Sequence, residues 1–426
     1  MGLARQEQQT DAKPERPHLN TAAEEDGVSA LATQQPQRLA DRHKVIDADT
    51  HVIEPYDLWT SRVSVKKYGD KVPHVKWDEK MQEDAWFFGS ERTGAAAGAA
   101  MAGWHEYPPK RPKKLELVDP ALYDAPARLK RMDEYGIYAQ VLYPNVAGFG
   151  AGRFLGLGDH ELMLLCVQAY NDWLSEWASA DKKRLIAQAA LPFWDVQATI
   201  KEMERAAKMG HKGVVMCGEP EAWNLPKLTA PEWDPLWAAA QEMGLAVNFH
   251  VGAGDMWYFD MMHERIGQHA AFASMGALFS LDLAAVISQL TCGGVCHKYP
   301  KLNFVVVESG VGWIPYLLAS LDYQWLNCGA HKENPEYKLK PSEFFKRQIY
   351  GSFWFERETL KPAIDILGAD NILYETDFPH PTSMSPGPAT SAIHPKDYIE
   401  IAFKGVAEAD IAKILHGNAA RIYHLD

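Results

Sequence analysis

The stretch KVIDADTHVIEP, Lys44 to Pro55, sets Asp47, Asp49, His51 and Glu54 within eight residues of one another. It opens on a short apolar run. Alternate residues of a strand share a face, so Asp49 and His51 can point the same way if this run is a strand. Three more titratable residues sit at the ends of β-branched runs. They are His250 in AVNFHVG, Glu308 in NFVVVESG and Asp377 in NILYETDFP. His380 follows Asp377 by three residues. Buried charges at the mouth of a core need pairing or a metal. Carboxylate and imidazole suit a divalent Zn, Mn or Fe ion. Asp49, His51, His250, Glu308 and Asp377 exceed what a structural ion-pair network requires. We expect them to hold a divalent metal, one ion rather than two. Asp377 and Glu308 are then the candidate acid–base groups, and His380 is a further candidate catalytic residue that could orient a ligand or contact substrate.

These residues can meet only if the runs that carry them lie side by side. Eight such runs are found: 44–51, 139–145, 185–193, 212–218, 246–252, 303–310, 348–353 and 371–379. They are nearly continuous apolar segments rich in β-branched residues, as buried parallel strands should be. Amphipathic segments such as 195–210 and 231–244 separate them, closed by Gly210 and Gly244. Eight strands alternating with helices predict an α/β fold, a (β/α)8 TIM barrel, whose reacting groups gather at the C-terminal ends of the strands. The connections 52–125 and 253–280 are too long for simple crossovers. Both are rich in Trp, Phe, Met and Gly, which suggests a pocket cover or a subunit interface. Arg92 and Arg265 lie in these inserts and could grip a substrate carboxylate.

Composition narrows the class. The chain has 426 residues and is 47% hydrophobic, enough for a large core. Its net charge of -13 argues against a nucleic-acid surface. No uninterrupted apolar run approaches the ~18 residues that span a membrane. Residues 1–42 are polar and poor in large apolar side chains, so we expect a flexible arm before a single barrel domain, 43–426. The five cysteines, Cys166, Cys217, Cys292, Cys296 and Cys328, are odd in number and mostly in apolar context. That fits reduced thiols in a cytoplasmic protein. Cys292 and Cys296 have no second pair to complete a zinc site. The expected partners are a small-molecule substrate and a second copy of the chain, as a homodimer or larger homo-oligomer.

From about residue 44 to the end, the chain resembles the amidohydrolase-related family that includes aminocarboxymuconate-semialdehyde decarboxylase and similar aromatic-acid decarboxylases. The matching pieces are IDADTHVIEP, ARLKRMDEYGIYAQVLYPN, NDWLSEW, HVG, YPKLNFVVVESGVGWIPYLL, YETDFPHP and GNAARIYHL. The resemblance implies a metal held by Asp49, His51, His250 and Asp377. The chain departs from the family pattern at Asp49, often His or Glu, and at Glu308, often His. Cys217 stands where binuclear relatives carry a bridging lysine. If two metals bind, Glu308 is the expected bridge.

Each residue also has a plainer reading. Asp377 could cap a helix, His250 could be a core histidine, and Glu308 could pair with an arginine. Glu54 reads as structural or as a partner of the first-strand motif. Asn171, Asp172, Trp173, Trp233 and Trp237 read as packing, and His297 lies at the N-terminal side of its strand. The reading that absorbs the whole set is a metal-dependent hydrolase or decarboxylase acting on a small carboxylated or aromatic substrate. The alternative is a non-haem iron oxygenase, with one or two irons, on the same barrel.

Overall fold

In the computed structural model, residues 37–253 and 267–425 are described. The eight expected strands all form. In chain order the strands are β1 (Val45–His51), β2 (His74–Asp78), β3 (Glu83–Phe88), β4 (Glu91–Ala95), β5 (Ile137–Tyr143), β6 (Leu185–Ala190), β7 (Gly213–Met216), β8 (Ala246–His250), β9 (Phe304–Val307), β10 (Ile349–Phe353) and β11 (Ile372–Tyr374). β1 and β5–β11 form one parallel sheet in that order. Parallel pairing of Thr50 with Phe378 closes it, with His51 N donating to Phe378 O at 2.7 Å and Asp377 N to Asp49 O at 3.0 Å. The fold is a (β/α)8 barrel. β1 is buried along its whole length, as are β6–β11.

The alternating segments form the expected outer helices. Val196–Met209 is capped by the Asp195 side chain and stopped by Gly210 at φ 105°. Asp234–Met243 is stopped by Gly244 at φ 67°. Such left-handed positions favour glycine, which has no Cβ to clash. Trp233 and Trp237 are core residues, as expected. Inside the barrel, Ile46, Val141, Ile186, Val215, Val305, Val307 and Leu373 fill the lumen. Tyr423, just after the helix Asn418–Ile422, reaches the same lumen and donates to Asn248 Oδ1 at 2.7 Å.

Asp47 has a structural task. Its carboxylate accepts from Thr376 N at 2.8 Å and Thr376 Oγ1 at 2.6 Å, clasping β1 to the segment after β11. Burial raises its pKa to about 7 against those hydrogen bonds. Arg128 is wholly buried nearby and donates to His51 O at 2.9 Å and to Ala121 O at 2.7 Å.

Three features differ from the sequence reading or extend it. Most of the expected arm, 1–42, lies outside the described residues, but Leu39–Arg42 is a helical turn docked on the barrel domain. Leu39 and Ala40 are buried there, and Arg42 pairs with Glu408 at 2.7 Å. The insert 52–125 contains a three-stranded antiparallel sheet, β2–β3–β4, which the sequence reading did not foresee. It packs on the barrel through Trp59, Trp86 and Phe88 against Phe154. Arg92, a candidate grip for substrate, is already engaged by Asp78 and Glu83, both at 2.6 Å. Arg265 falls outside the described residues.

The second insert runs into a helix, Gln268–Phe279, of which Met275 alone is buried. Through a short 3-10 turn it continues to Leu283–Cys292, giving 25 residues long and apolar enough to cross a membrane by length and composition. That differs from the expectation drawn from uninterrupted apolar runs, because Asp282 divides the sequence while the helix carries through. In the second half Leu283, Val286, Ile287 and Leu290 are buried as part of the barrel's helical layer.

Candidate metal centre

The strand ends bring the expected residues together. Asp49, His51 and His250 are buried with ligand atoms within 4.8 Å of one another. His51 Nδ1 lies 3.1 Å from Pro144 O, and His250 Nδ1 lies 2.9 Å from Val251 O. A carbonyl only accepts, so each Nδ1 carries a proton and each ring turns its Nε2 inward, the nitrogen a metal would take. The two Nε2 atoms are 3.0 Å apart. At that distance the two nitrogens either share one proton or direct their lone pairs at a common cation. Both oxygens of Asp49 are buried without a hydrogen-bond partner, and Asp49 Oδ1 stands 3.4 Å from His51 Nε2 and 3.5 Å from His250 Nε2. Burial alone would raise the Asp49 pKa, but the neighbouring His250 and His51 outweigh it and hold it low. An anion, two imidazole nitrogens and unpartnered oxygens fit a divalent cation.

Glu308 and Asp377 complete the ring. Glu308 Oε2 is 3.8 Å from His250 Nε2, and Asp377 Oδ1 is 3.6 Å from His51 Nε2. Neither oxygen has a hydrogen bond of good geometry, and Asp377 Oδ1 keeps only ion-pair contacts to His51 and His380. With Asp49 they form a second group able to hold an ion. Their backbones sit in the left-handed region, φ 57° at Glu308 and 56° at Asp377. A non-glycine residue held there costs about 1–3 kcal/mol and persists where the surrounding structure fixes it, most often at functional sites. Burial, then Asp49, raises the Glu308 pKa; burial, then Glu308 and Asp49, raises that of Asp377. Neither plainer reading holds for them: no arginine pairs with Glu308, and Asp377 caps no helix among the described residues.

His380 lies with its Nδ1 2.9 Å from Asp377 Oδ1 and its ring stacked on His51 at 3.7 Å. Its Nε2 is 2.5 Å from Asn145 Oδ1, and Asn145 Nδ2 is held by Val52 O. Burial keeps His380 well below its usual pKa.

The sequence reading missed Asn145, Phe149 and Glu375. Phe149 covers both candidate ligand histidines, with centroids 5.0 Å from His51 and 4.1 Å from His250. Nothing in its sequence context announces that. Glu375 is wholly buried and accepts from Glu308 N at 3.2 Å. Its signal was present, since residues two apart share a strand face and Asp377 was already a candidate. Glu54, read as structural or supporting, accepts from Asn145 N at 2.8 Å and Val146 N at 3.0 Å. Asn171 and Trp173 are buried in packing, as expected. Asp172 pairs with Arg205, and His297 stacks on Tyr337 outside the cluster. Cys217 donates to Ala253 O at 2.8 Å.

A cavity of about 270 Å³ opens beside His380 and Phe149. Glu54, Arg153, Trp86 and the small residues Gly94–Ala96 line its far side. Two larger clefts, of about 640 and 910 Å³, flank the helix Gln268–Phe279 and touch no member of the cluster. The cavity that meets the chemistry is the smaller one.

A parallel barrel with histidine and carboxylate donors at its strand ends defines the metal-dependent hydrolase type of TIM barrel. Within that class the chain belongs to the amidohydrolase family, whose profile matches residues 46–425. It is 27% identical over 312 residues to γ-resorcylate decarboxylase of Rhizobium sp. (strain MTP-10005), covering 70% of this chain and 86% of the relative. A solved amidohydrolase from Mycobacterium avium subsp. paratuberculosis K-10 shares the fold with TM-score 0.71 at 23% identity, covering 89% of this chain and 99% of that one. A dihydroxybenzoic acid decarboxylase from Polaromonas sp. JS666, solved with manganese and the inhibitor 2-nitroresorcinol, aligns with TM-score 0.59 at 22% identity. That alignment covers 90% of this chain and 97% of the Polaromonas chain.

Proposed function

We propose that this chain is a metal-dependent decarboxylase acting on a small aromatic carboxylic acid. The observation that carries the reading is Asp377 Oδ1, set between His51 Nε2 at 3.6 Å and His380 Nδ1 at 2.9 Å, with His380 itself lining the small cavity. The similarity to decarboxylases of aromatic acids supports it.

Asp49, His51 and His250 would hold a divalent ion, with Asp377 and Glu308 alongside, and the ion supplies Lewis acidity toward a substrate oxygen. Asp377 brings a proton to the ring carbon that bears the carboxylate. The carbon–carbon bond then breaks, its electron pair stays on that carbon to take the proton, and carbon dioxide leaves. His380, steadied by Asn145, orients Asp377 and exchanges the proton with the cavity. Phe149 and Trp86 provide apolar walls that keep water off the ring.

The test is release of carbon dioxide from 2,6-dihydroxybenzoate and related aromatic acids by the manganese-loaded protein. The reading expects release that stops on chelation. Hydrolysis of ester or amide analogues with no release from any acid would overturn it.

Two broader points belong to the same reading. A homodimer is supported by the apolar helix Gln268–Phe279, of which a single chain buries Met275 alone. A reducing, cytoplasmic setting is supported by five unpaired cysteines, three of them buried.

A further inference from the structure

Arg153 is the one arginine lining the small cavity, and the reaction above leaves it unused. It stands on the 3-10 turn Gly152–Leu157, directly after the loop that carries Asn145 and Phe149. Its guanidinium is reachable by solvent through the cavity, yet protein encloses it enough for desolvation to lower its pKa, with Glu54 opposing. Among the described residues its hydrogen bonding is a single contact, Nη1 to Val146 O at 3.3 Å, and no carboxylate lies within ion-pair distance. A guanidinium has five N–H donors in a planar fork. Among the described residues, most of that fork is therefore unpaired on the wall of a cavity.

The loop that presents Arg153 is fixed by close packing. A Cβ at Gly150 would come within 2.9 Å of Cys217 Cα, and one at Gly152 within 2.6 Å of Trp223. On the other side Gly94 faces Arg153, its would-be Cβ 3.8 Å from Nη1. The arginine is thus held at the rim by backbone that has little room to move, which lowers the cost of ordering it around a ligand. The remaining wall is small and apolar, from Gly94 to Ala96, with Trp86 behind. An enclosed volume of about 150 Å³ already takes benzene. At about 270 Å³ this cavity has room for a ring with polar substituents.

We propose that Arg153 is a specificity-determining residue that binds a second carboxylate on the substrate, so that the preferred substrate is an aromatic diacid. This rests on the decarboxylase reading, in which the first carboxylate lies at Asp377 and the metal ligands. A planar fork matches a planar carboxylate through two parallel hydrogen bonds.

The test measures binding of benzoate, benzene-1,3-dicarboxylate and benzene-1,4-dicarboxylate to the manganese-loaded protein by calorimetry. At least one diacid should bind about 10- to 100-fold more tightly than benzoate, the worth of a charge-assisted pair. Arg153→Gln should erase that advantage and leave benzoate binding unchanged. Arg153→Lys, which keeps the charge without the fork, should keep part of it and also reports that the loop still folds. Diacids no tighter than benzoate, or an Arg153→Gln loss equal for all three acids, would overturn the subsite. Benzoate binding that still disappears on chelation would then leave the decarboxylase reading standing. An Arg153-dependent diacid preference that survives chelation would support the subsite and overturn the metal-centred reading. No binding of any of the three acids would overturn both.

Discussion

At the scale of single residues, the candidate ligands and the candidate acid–base groups differ in their surroundings. Asp49 is held anionic by two histidines, whereas Asp377 and Glu308 are pushed toward their protonated forms by burial and by other carboxylates. Removing the proton-carrying group should cost what general acid–base catalysis supplies. Asp377→Asn is expected to lower kcat for carbon dioxide release by about 10²–10⁴-fold. A variant near the parent rate would remove Asp377 from the reaction. Glu54 gives a stability prediction away from the metal ligands. Its pKa is raised to about 7 by burial, against hydrogen bonds from Asn145 and Val146. The folded state therefore holds a proton that the unfolded state releases near pH 4.5, and this contribution to stability is present below pH 4.5 and lost as pH rises through about 7. Glu54→Gln should gain on the parent protein by up to about 3 kcal/mol between pH 4.5 and pH 8. Urea unfolding at several pH values measures it, and parallel curves would contradict it.

At the scale of elements, the barrel is closed by polar contacts as well as by strands. The Asp47–Thr376 clasp ties the first strand to the segment carrying Asp377. Asp47→Ala leaves Thr376 N without its partner and removes the negative field beside the buried Arg128. It should destabilise the protein by about 2–4 kcal/mol in urea unfolding. A change below about 0.5 kcal/mol, the scale of an ordinary surface substitution, would show that strand pairing alone closes the barrel. The eight barrel strands were legible because a parallel strand buried on both faces is written as a continuous apolar run. β2 and β4 were not, because they are partly exposed and carry charges such as Lys76, Asp78, Glu91 and Arg92. The ligand positions were legible for the same reason as the strands: a titratable group that ends an apolar run stands out. Asn145, Phe149 and Arg153 lie in an irregular loop, where closeness to His51 and His380 is set by tertiary packing and leaves no period in the sequence. Arg92 shows the converse. It looked available in the sequence, and only the fold reveals Asp78 and Glu83 beside it.

At the scale of the whole molecule, the apolar helix Gln268–Phe279 buries only Met275 within one chain. Light scattering on the purified protein should return the mass of a dimer, and a monomer at micromolar concentration would contradict the homodimer reading. The central claim is nevertheless that this barrel is a metal enzyme, and metal content tests it most directly. Elemental analysis of protein purified without chelators should find one divalent ion per chain, manganese, zinc or iron. The ion should be removable by chelation, and His51→Ala and His250→Ala should abolish its binding. Two irons per chain would instead turn the Asp49–Glu308–Asp377 group into a second ligand set and favour an oxygenase. A chain that carries no metal and takes none up on reconstitution would contradict the account.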